Sequence, residues 1–389
     1  MIGGERAVST SMGARGCARL RASSARALLA SLMLFVSSAL LWACEGKPVA
    51  PASPPSASPA SASSAAAAPT GAAQPASPQG GADAGFVAAP VEPEPVAERD
   101  FFGLEGGDAE WMTRVGRAQP ARFRPVGTSS LVFKVYFVGG LEAAFRPRVR
   151  GQGRGWLNEV AAYRLARVLG MDQVPPAVSR SLARREVMAH LDADYGGDRA
   201  ALEADLAARG DVVWGSLVAW VPVLRDLELD TPRGAARSRP WLLQSGALPV
   251  GDAATLAADL STMIAFDYLL ANVDRWSGAN VRGDASGRRL IVRDHNLAFG
   301  EPLPAAQHER LLVPLRRVER FSRRFVSALR ALDEARLRAS LSADPAVAAG
   351  IALVEDARLR DVFDRREALL SRIGALVEVY GEEAVLAFP

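Results

Sequence analysis

Apolar and polar residues alternate with period two through SLVFKVYFV, break at Gly139 and Gly140, and alternate again through LEAAFRPRV. That pattern predicts two antiparallel strands joined by a tight turn. In GWLNEVAAYRLARVLG the interval lengthens: Trp156, Val160, Tyr163, Leu165 and Val168 recur at helical spacing, and Gly170 stands where a C-terminal cap belongs. One amphipathic helix is expected there. QVPPAVSR is expected to be extended, because each Pro disfavours helix in the residue before it, and DVVWGSLVAWVPV predicts a buried strand. After Gly251 the pattern turns helical. DAATLAADLSTMIAFDYLLANV is expected to start at an Asp252 cap and to end near Asn272, with three or four further helices from Glu309 onward. A strand-rich part with one helix followed by a helix-rich part predicts an α+β fold of two lobes with a cleft between them.

The N-terminal region follows a different rule. Arg6, Arg15, Arg19, Arg21 and Arg26 precede the apolar run ALLASLMLFVSSALLWAC, which is short for a membrane span and fits a secretory signal. Its end, LLWAC, resembles the lipobox of bacterial lipoproteins. That resemblance implies a signal peptide over residues 1–43, cleavage before Cys44 and acylation of Cys44; an uncleaved signal anchor is the other reading. Glu45, rather than Asp, after the Cys implies the outer membrane by the enterobacterial rule. The expectation is a protein of the bacterial cell envelope, lipid-anchored to the outer membrane and facing the periplasm, with the membrane as a partner through Cys44. Residues 44–98 are rich in Ala, Pro and Ser and poor in charge and aromatics, so they cannot bury enough apolar area to offset their ordering entropy. A disordered tether is expected, with a coil-like reach of roughly 40 Å. The folded part is then residues 99–389, with an N-lobe over about 120–222 and a C-lobe over about 223–389. No cysteine follows Cys44, so that part is expected to stand without disulfides. The chain of 389 residues carries a formal charge of +3 and no basic, aromatic-rich strip, which excludes nucleic acid as an expected partner.

The densest candidate chemistry lies in LLANVDRWSGANVRGDASGRRLIVRDHNLAFG, residues 269–300. Asp274 stands at a helix exit, in a loop that Ser277 and Gly278 keep open. ANVRG and RRLIVR can pair across DASG, and antiparallel pairing brings Asn280 and Asp294 to the same end of that hairpin. An amide and two carboxylates with no cysteine, and with only His295 nearby, suit a hard cation such as Mg²⁺ or Mn²⁺ rather than zinc. The spacing by itself leaves another account open: Asn272 and Asp274 as helix caps, Asn280 in a turn and Asp294 at a loop start.

A resemblance spans both halves. AAFRPRV, NEVAAYRLARVLGMDQVPPAVSR, FDYLLANVDRWSGANV and LIVRDHNLAFG resemble, in order and rough spacing, the secretory-pathway kinases of the Golgi casein kinase and four-jointed family. That family shows a Phe-Lys-Pro strand, a Glu-x-Ala-Ala-(Phe/Tyr) helix, a Val-Pro-Pro strand, an Asn-x-Asp-Arg loop and a metal-binding Asp before a Phe-Gly. HipA-like kinases and phosphatidylinositol 4-kinases are more distant relatives by architecture. The resemblance, covering about Val126 to Gly300, implies a two-lobed protein-kinase-like fold and a kinase that uses ATP with Mg²⁺ or Mn²⁺ on a hydroxyl of a protein or small molecule. It implies that Asp274 orients or deprotonates the attacking hydroxyl, that Asp294 and Asn280 hold the metal, and that Glu159 pairs with the strand cation that grips the phosphates.

The chain departs from the pattern at that cation, where Lys is expected and Arg146 stands. A guanidinium is planar and bulkier than an ammonium, so the exchange is not conservative. Arg146 then either does the work, with or without Lys134 from the neighbouring strand, or the protein is a pseudokinase. The loop GTSSLVF at Gly127, including Ser129, is a candidate cover for the phosphates, and Trp220 a candidate neighbour of the adenine. Lys134 and Glu159 also read as ordinary surface residues, and Arg275 as a salt-bridging loop residue. His190 and His308 carry no partner signal. A nucleotide-binding envelope lipoprotein without transfer activity is the alternative function, and a non-catalytic binding module a third. An exported kinase also needs a phosphoryl donor outside the inner membrane, and no residue of the chain accounts for its supply.

Overall fold

The computed structural model describes residues 96–389 apart from 127–129 and 152. The signal peptide, Cys44, nearly all of the tether, and Ser129 lie outside the described residues.

The alternating pattern builds a five-stranded antiparallel sheet of β1 (Pro120–Val126), β2 (Val132–Phe137), β3 (Glu142–Pro147), β4 (Ala177–Ala183) and β5 (Val212–Ala219), in the order β1-β2-β3-β5-β4. One face is apolar. Phe123, Phe133, Val135, Phe145, Val213 and Leu217 are buried there against Trp111 and Val115 of the Gly107–Arg117 helix. Phe123 meets both Phe133 and Phe145 edge-on at 6.0 Å between ring centroids. The opposite face of β2 and β3 carries Lys134, Tyr136, Glu142 and Arg146, each only partly covered. Gly215 on β5 lies opposite Pro147 and Arg180, and a Cβ there would stand 2.4 Å from a Phe145 ring carbon and 2.6 Å from the Arg146 carbonyl oxygen. Only glycine lets β5 approach the strand that carries Arg146 so closely.

The Gly155–Val168 helix forms as its periodicity predicts. Past its end, Gly170 takes φ +64 and Met171 N–H bonds back to Ala166 O, closing the C-terminus as the cap position predicts. It is not amphipathic, however. Asn158, Glu159 and Arg167 are buried along with its apolar residues, because the sheet, the Glu334–Ser342 helix and the segment around Asn296 enclose it. Sequence spacing identifies the helix but not the enclosure.

The second lobe is built on the Asp252–Leu270 helix, whose buried residues share one apolar core with Phe321, Phe325, Leu329, Val362 and Leu369. This helix is long and apolar enough to cross a membrane, yet 72% of that stretch is buried inside the protein, as a core helix should be. Gly251 is its N-cap and Asp252 its first helical residue, so the cap lies one position earlier than expected. From Ala305 six helices follow rather than three or four: Ala305–Arg316, Arg323–Arg330, Glu334–Ser342, Pro345–Ala348, Asp356–Tyr380 and Glu382–Val385. The excess is two single-turn pieces, for which periodicity has no window. A second small sheet joins β6 (Arg225–Asp226), β7 (Arg282–Gly283) and β8 (Leu290–Ile291). The predicted hairpin is therefore present, but its ladder is only two residues per strand.

Candidate functional site

The site begins at a helix end. Ala271 leaves the Asp252–Leu270 helix with φ +55, a left-handed conformation uncommon outside glycine, and Asn272 N–H bonds back to Asp267 O. Asn272 then turns the chain: its Oδ1 accepts from Asp274 N at 3.4 Å and its Nδ2 donates to Asp267 Oδ1 at 3.1 Å and to Asp294 O at 3.4 Å. It is thus more than a helix cap, because it joins the loop of Asp274 to the loop of Asp294. Asn280 Nδ2 donates to Asp274 Oδ2 at 3.2 Å, to Asp274 O at 3.0 Å and to Ser277 Oγ at 3.3 Å. The β7–β8 ladder pairs Arg282 with Ile291 and Gly283 with Leu290, so Asn280 and Asp294 lie beyond the same end of the hairpin.

Arg275 holds this arrangement from beneath. It is fully buried at 0% exposure, and its Nε and Nη2 bind Asp267 Oδ2 and Oδ1 at 2.8 and 3.0 Å. Its Nη1 donates to the carbonyl oxygens of Asn280 and Arg293. One guanidinium therefore ties the core helix to the segments that enter and leave the hairpin. Burial raises the pKa of Asp267 and Arg275 opposes that rise. His295 lies alongside, buried, with Nδ1 facing Arg275 and Nε2 facing Val292 O at 3.3 Å. Burial and then the Arg275 charge push its pKa well below the ordinary value, so it is a neutral structural imidazole with both ring nitrogens engaged.

Across the cleft, Arg146 on β3 reaches the same point. Its Nη2 lies 3.1 Å from Asp294 Oδ1 and 3.4 Å from Glu159 Oε1, and its Nη1 donates to Ser130 Oγ at 2.9 Å. Glu159 is buried in the middle of its helix, so it is not an ordinary surface residue. Its other oxygen accepts from His295 N at 3.0 Å. Burial raises the Glu159 pKa; Arg146 acts against this and the Asp294 charge adds to it. Asp294 itself has φ +65, a strained backbone held by these partners, as often occurs where geometry serves function.

Lys134 is placed differently from either expectation. It stands opposite Ala144, flanked on that face of β3 by Glu142 and Arg146, and it leans away from Arg146 to pair with Glu142 at 2.9 Å. Its ammonium lies 4.6 Å from the centre of the Trp220 ring and 4.8 Å from that of Tyr136. It therefore neither assists Arg146 nor sits free in solvent; attraction to a carboxylate and two aromatic faces outweighs both. Trp220, just beyond β5, is half-buried under that ammonium. Asp267, and the tie that Asn272 makes to Asp294, are what sequence reasoning left unassigned. A carboxylate inside the apolar run MIAFDYLL was the signal for the first, since a buried acid needs a partner.

No family model matches the sequence, and no curated protein matches it. Solved structures do match the fold. A Golgi casein kinase structure superposes with TM-score 0.54 at 17% identity, covering 71% of this chain and 77% of that one. A Golgi casein kinase structure with Mn and ADP bound gives TM-score 0.54 at 17% identity, over 72% and 78% of the two chains. The structure of hydra Fam20 with sugar gives TM-score 0.54 at 18% identity, over 72% of this chain and 93% of that one. The chain has the two-lobed, kinase-like α+β fold of these secretory-pathway kinases.

Proposed function

We propose that this protein is an atypical kinase that transfers the γ-phosphoryl group of ATP to a hydroxyl of a protein or small molecule. One observation carries the reading. Arg146, Glu159 and Asp294 come from three separate stretches and meet in one bonded set, with Asp294 joined through Asn272 to the loop that holds Asp274 and Asn280. Asp274 would take the proton of the attacking hydroxyl as the new P–O bond forms and ADP leaves, and the Asn280 amide orients its carboxylate through Oδ2. Arg146 offers a phosphate-binding cation held in place by Glu159 and Ser130. Trp220 and Lys134 would flank the base, and Ser129 would belong to the loop covering the phosphates.

The Golgi casein kinase structure solved with Mn and ADP motivates the same cofactors here. Asn280 uses Nδ2 for its protein partners, which leaves Oδ1, together with Asp294 Oδ2, as hard oxygen donors fit for Mg²⁺ or Mn²⁺. Among the described residues no group of three or more His, Cys, Asp or Glu side chains forms a complete metal cage, so phosphate oxygens would complete the coordination. A divalent cation bound there supplies charge neutralisation for the triphosphate.

A second reading, a nucleotide-binding protein without transfer, is favoured by the contact of Arg146 with Asp294 Oδ1, which puts a guanidinium where the family pattern has a smaller ammonium. A thermal-shift titration with ATP, with and without Mn²⁺, separates the two. For the active kinase, Mn²⁺ adds to the stabilisation by ATP, which reaches about 2.7 kcal/mol at a hundredfold excess over Kd. Arg146→Ala is expected to weaken ATP binding about tenfold, roughly 1.4 kcal/mol. Equal shifts with and without metal, and turnover that appears only in Arg146→Lys, would establish the second reading.

The envelope location is part of the proposal and is supported by the basic segment, apolar run and LLWAC ending at Cys44. Expressed in a bacterium, the chain is expected in the outer-membrane fraction, and Cys44→Ala is expected to abolish acyl labelling. Unchanged labelling of that variant would remove the anchor.

A further inference from the structure

Beyond Pro147, where β3 ends, Arg148, Val149 and Arg150 are held by backbone bonds to β5 and to the segment before it. Arg148 N donates to Trp214 O, Ala207 N to Arg148 O, and Arg150 N to Asp205 O, while Val149 bridges Leu206. Arg148, Arg150 and Arg209 together line a cavity of about 310 Å³, completed by Ala207 and Ala208. All three guanidinium groups are exposed, and none has a hydrogen-bond or ion-pair partner among the described residues. The nearby carboxylate of Asp211 is taken up by Arg184 and Arg185.

Three exposed cations around one cavity repel each other, and no described carboxylate pairs with any of them. Backbone bonds hold the two segments that carry the lining residues, and the two alanines add little bulk to the lining. Three planar forks offer more donors than the two oxygens of one carboxylate can accept. A phosphate monoester, with three peripheral oxygens and close to two negative charges, matches them better. We infer that this cavity, lined by none of the residues assigned to the nucleotide cleft, is a phosphate-monoester site with space for the phosphate and part of its carrier. The inference does not depend on transfer activity.

The test is calorimetric titration of the full chain at constant ionic strength with inorganic phosphate, a hexose 6-phosphate and acetate, and flotation with phosphatidate vesicles. Phosphate is expected to bind at least about tenfold more tightly than acetate, and Arg148→Ala with Arg209→Ala to weaken it by about fivefold per arginine, as partly exposed ion pairs do. The Asp294→Ala and Arg146→Ala variants are expected to keep this binding, and their unchanged response distinguishes the cavity from the cleft. Tighter binding of the hexose phosphate identifies a soluble carrier, and tighter binding of vesicles a lipid headgroup; both agree with the inference. Equal affinity for acetate, undiminished binding in the double variant, loss of binding in the cleft variants, or stronger competition from an acidic peptide than from phosphate would each overturn it. Circular dichroism and the thermal midpoint of the double variant confirm its fold, since the substituted side chains are exposed.

Discussion

Asp294→Ala is expected to lower ATP turnover by at least about a thousandfold, the scale on which loss of a metal-holding carboxylate removes several kcal/mol of transition-state stabilisation. The same variant should lose the metal-dependent part of its stabilisation by ATP, while ATP alone still binds through Arg146. The fold should survive. Asp294 is one-quarter exposed, with 27% of its side chain open, and Arg146 keeps Glu159 as a partner after the substitution. Steady-state turnover with Mn²⁺ and with EDTA measures the effect. Identical turnover in wild type and variant would end the kinase proposal, because no other described carboxylate faces Arg146 from that loop.

Much of this site was legible from pattern. The period-two run placed Arg146 on β3, the helical run placed Glu159, and antiparallel pairing across DASG brought Asn280 and Asp294 to one end of the hairpin. What joins them was not legible. The ties run through atoms that sequence spacing does not weigh: the His295 backbone N–H on Glu159, the Asn272 amide on Asp294 O, and the carbonyls of Asn280 and Arg293 on Arg275. Lys134 shows the same limit. Strand register allows it to lean toward Arg146 or Glu142, and only the packing of Tyr136 and Trp220 decides. The Gly107–Arg117 helix and β1 were absent from the expectation for another reason. Their sequences, GDAEWMTRVGR and PARFRPV, bury only Asp108, Trp111 and Val115 in the first and Pro120 and Phe123 in the second, so few apolar positions remain to mark a period.

Arg275→Ala is the substitution expected to cost most in stability. It leaves the Asp267 carboxylate buried with Asn272 as its remaining side-chain donor, and it orphans two carbonyl oxygens, at a cost of about 3–5 kcal/mol. For a domain of this size that corresponds to a fall in thermal midpoint of about 6–15 °C. The loss should depend on pH with a definite sign. Burial raises the Asp267 pKa in the native protein and Arg275 opposes this, so removing Arg275 raises it further. A raised carboxyl pKa makes the folded state bind its proton more readily than the unfolded state, and stability is then regained as the pH falls toward the ordinary carboxyl range. The gap between variant and wild type should therefore be widest at neutral pH and narrow on acidification. Replacing both partners, Arg275→Leu with Asp267→Leu, removes the uncompensated charge and should recover part of the stability, with a coupling of about 2 kcal/mol or more in the double-mutant cycle. Turnover should not recover with it, because the leucine cannot hold the carbonyls of Asn280 and Arg293 and so cannot keep Asp274, Asn280 and Asp294 in register. If turnover returns along with stability, Arg275 only neutralises Asp267 and the hairpin finds its own position.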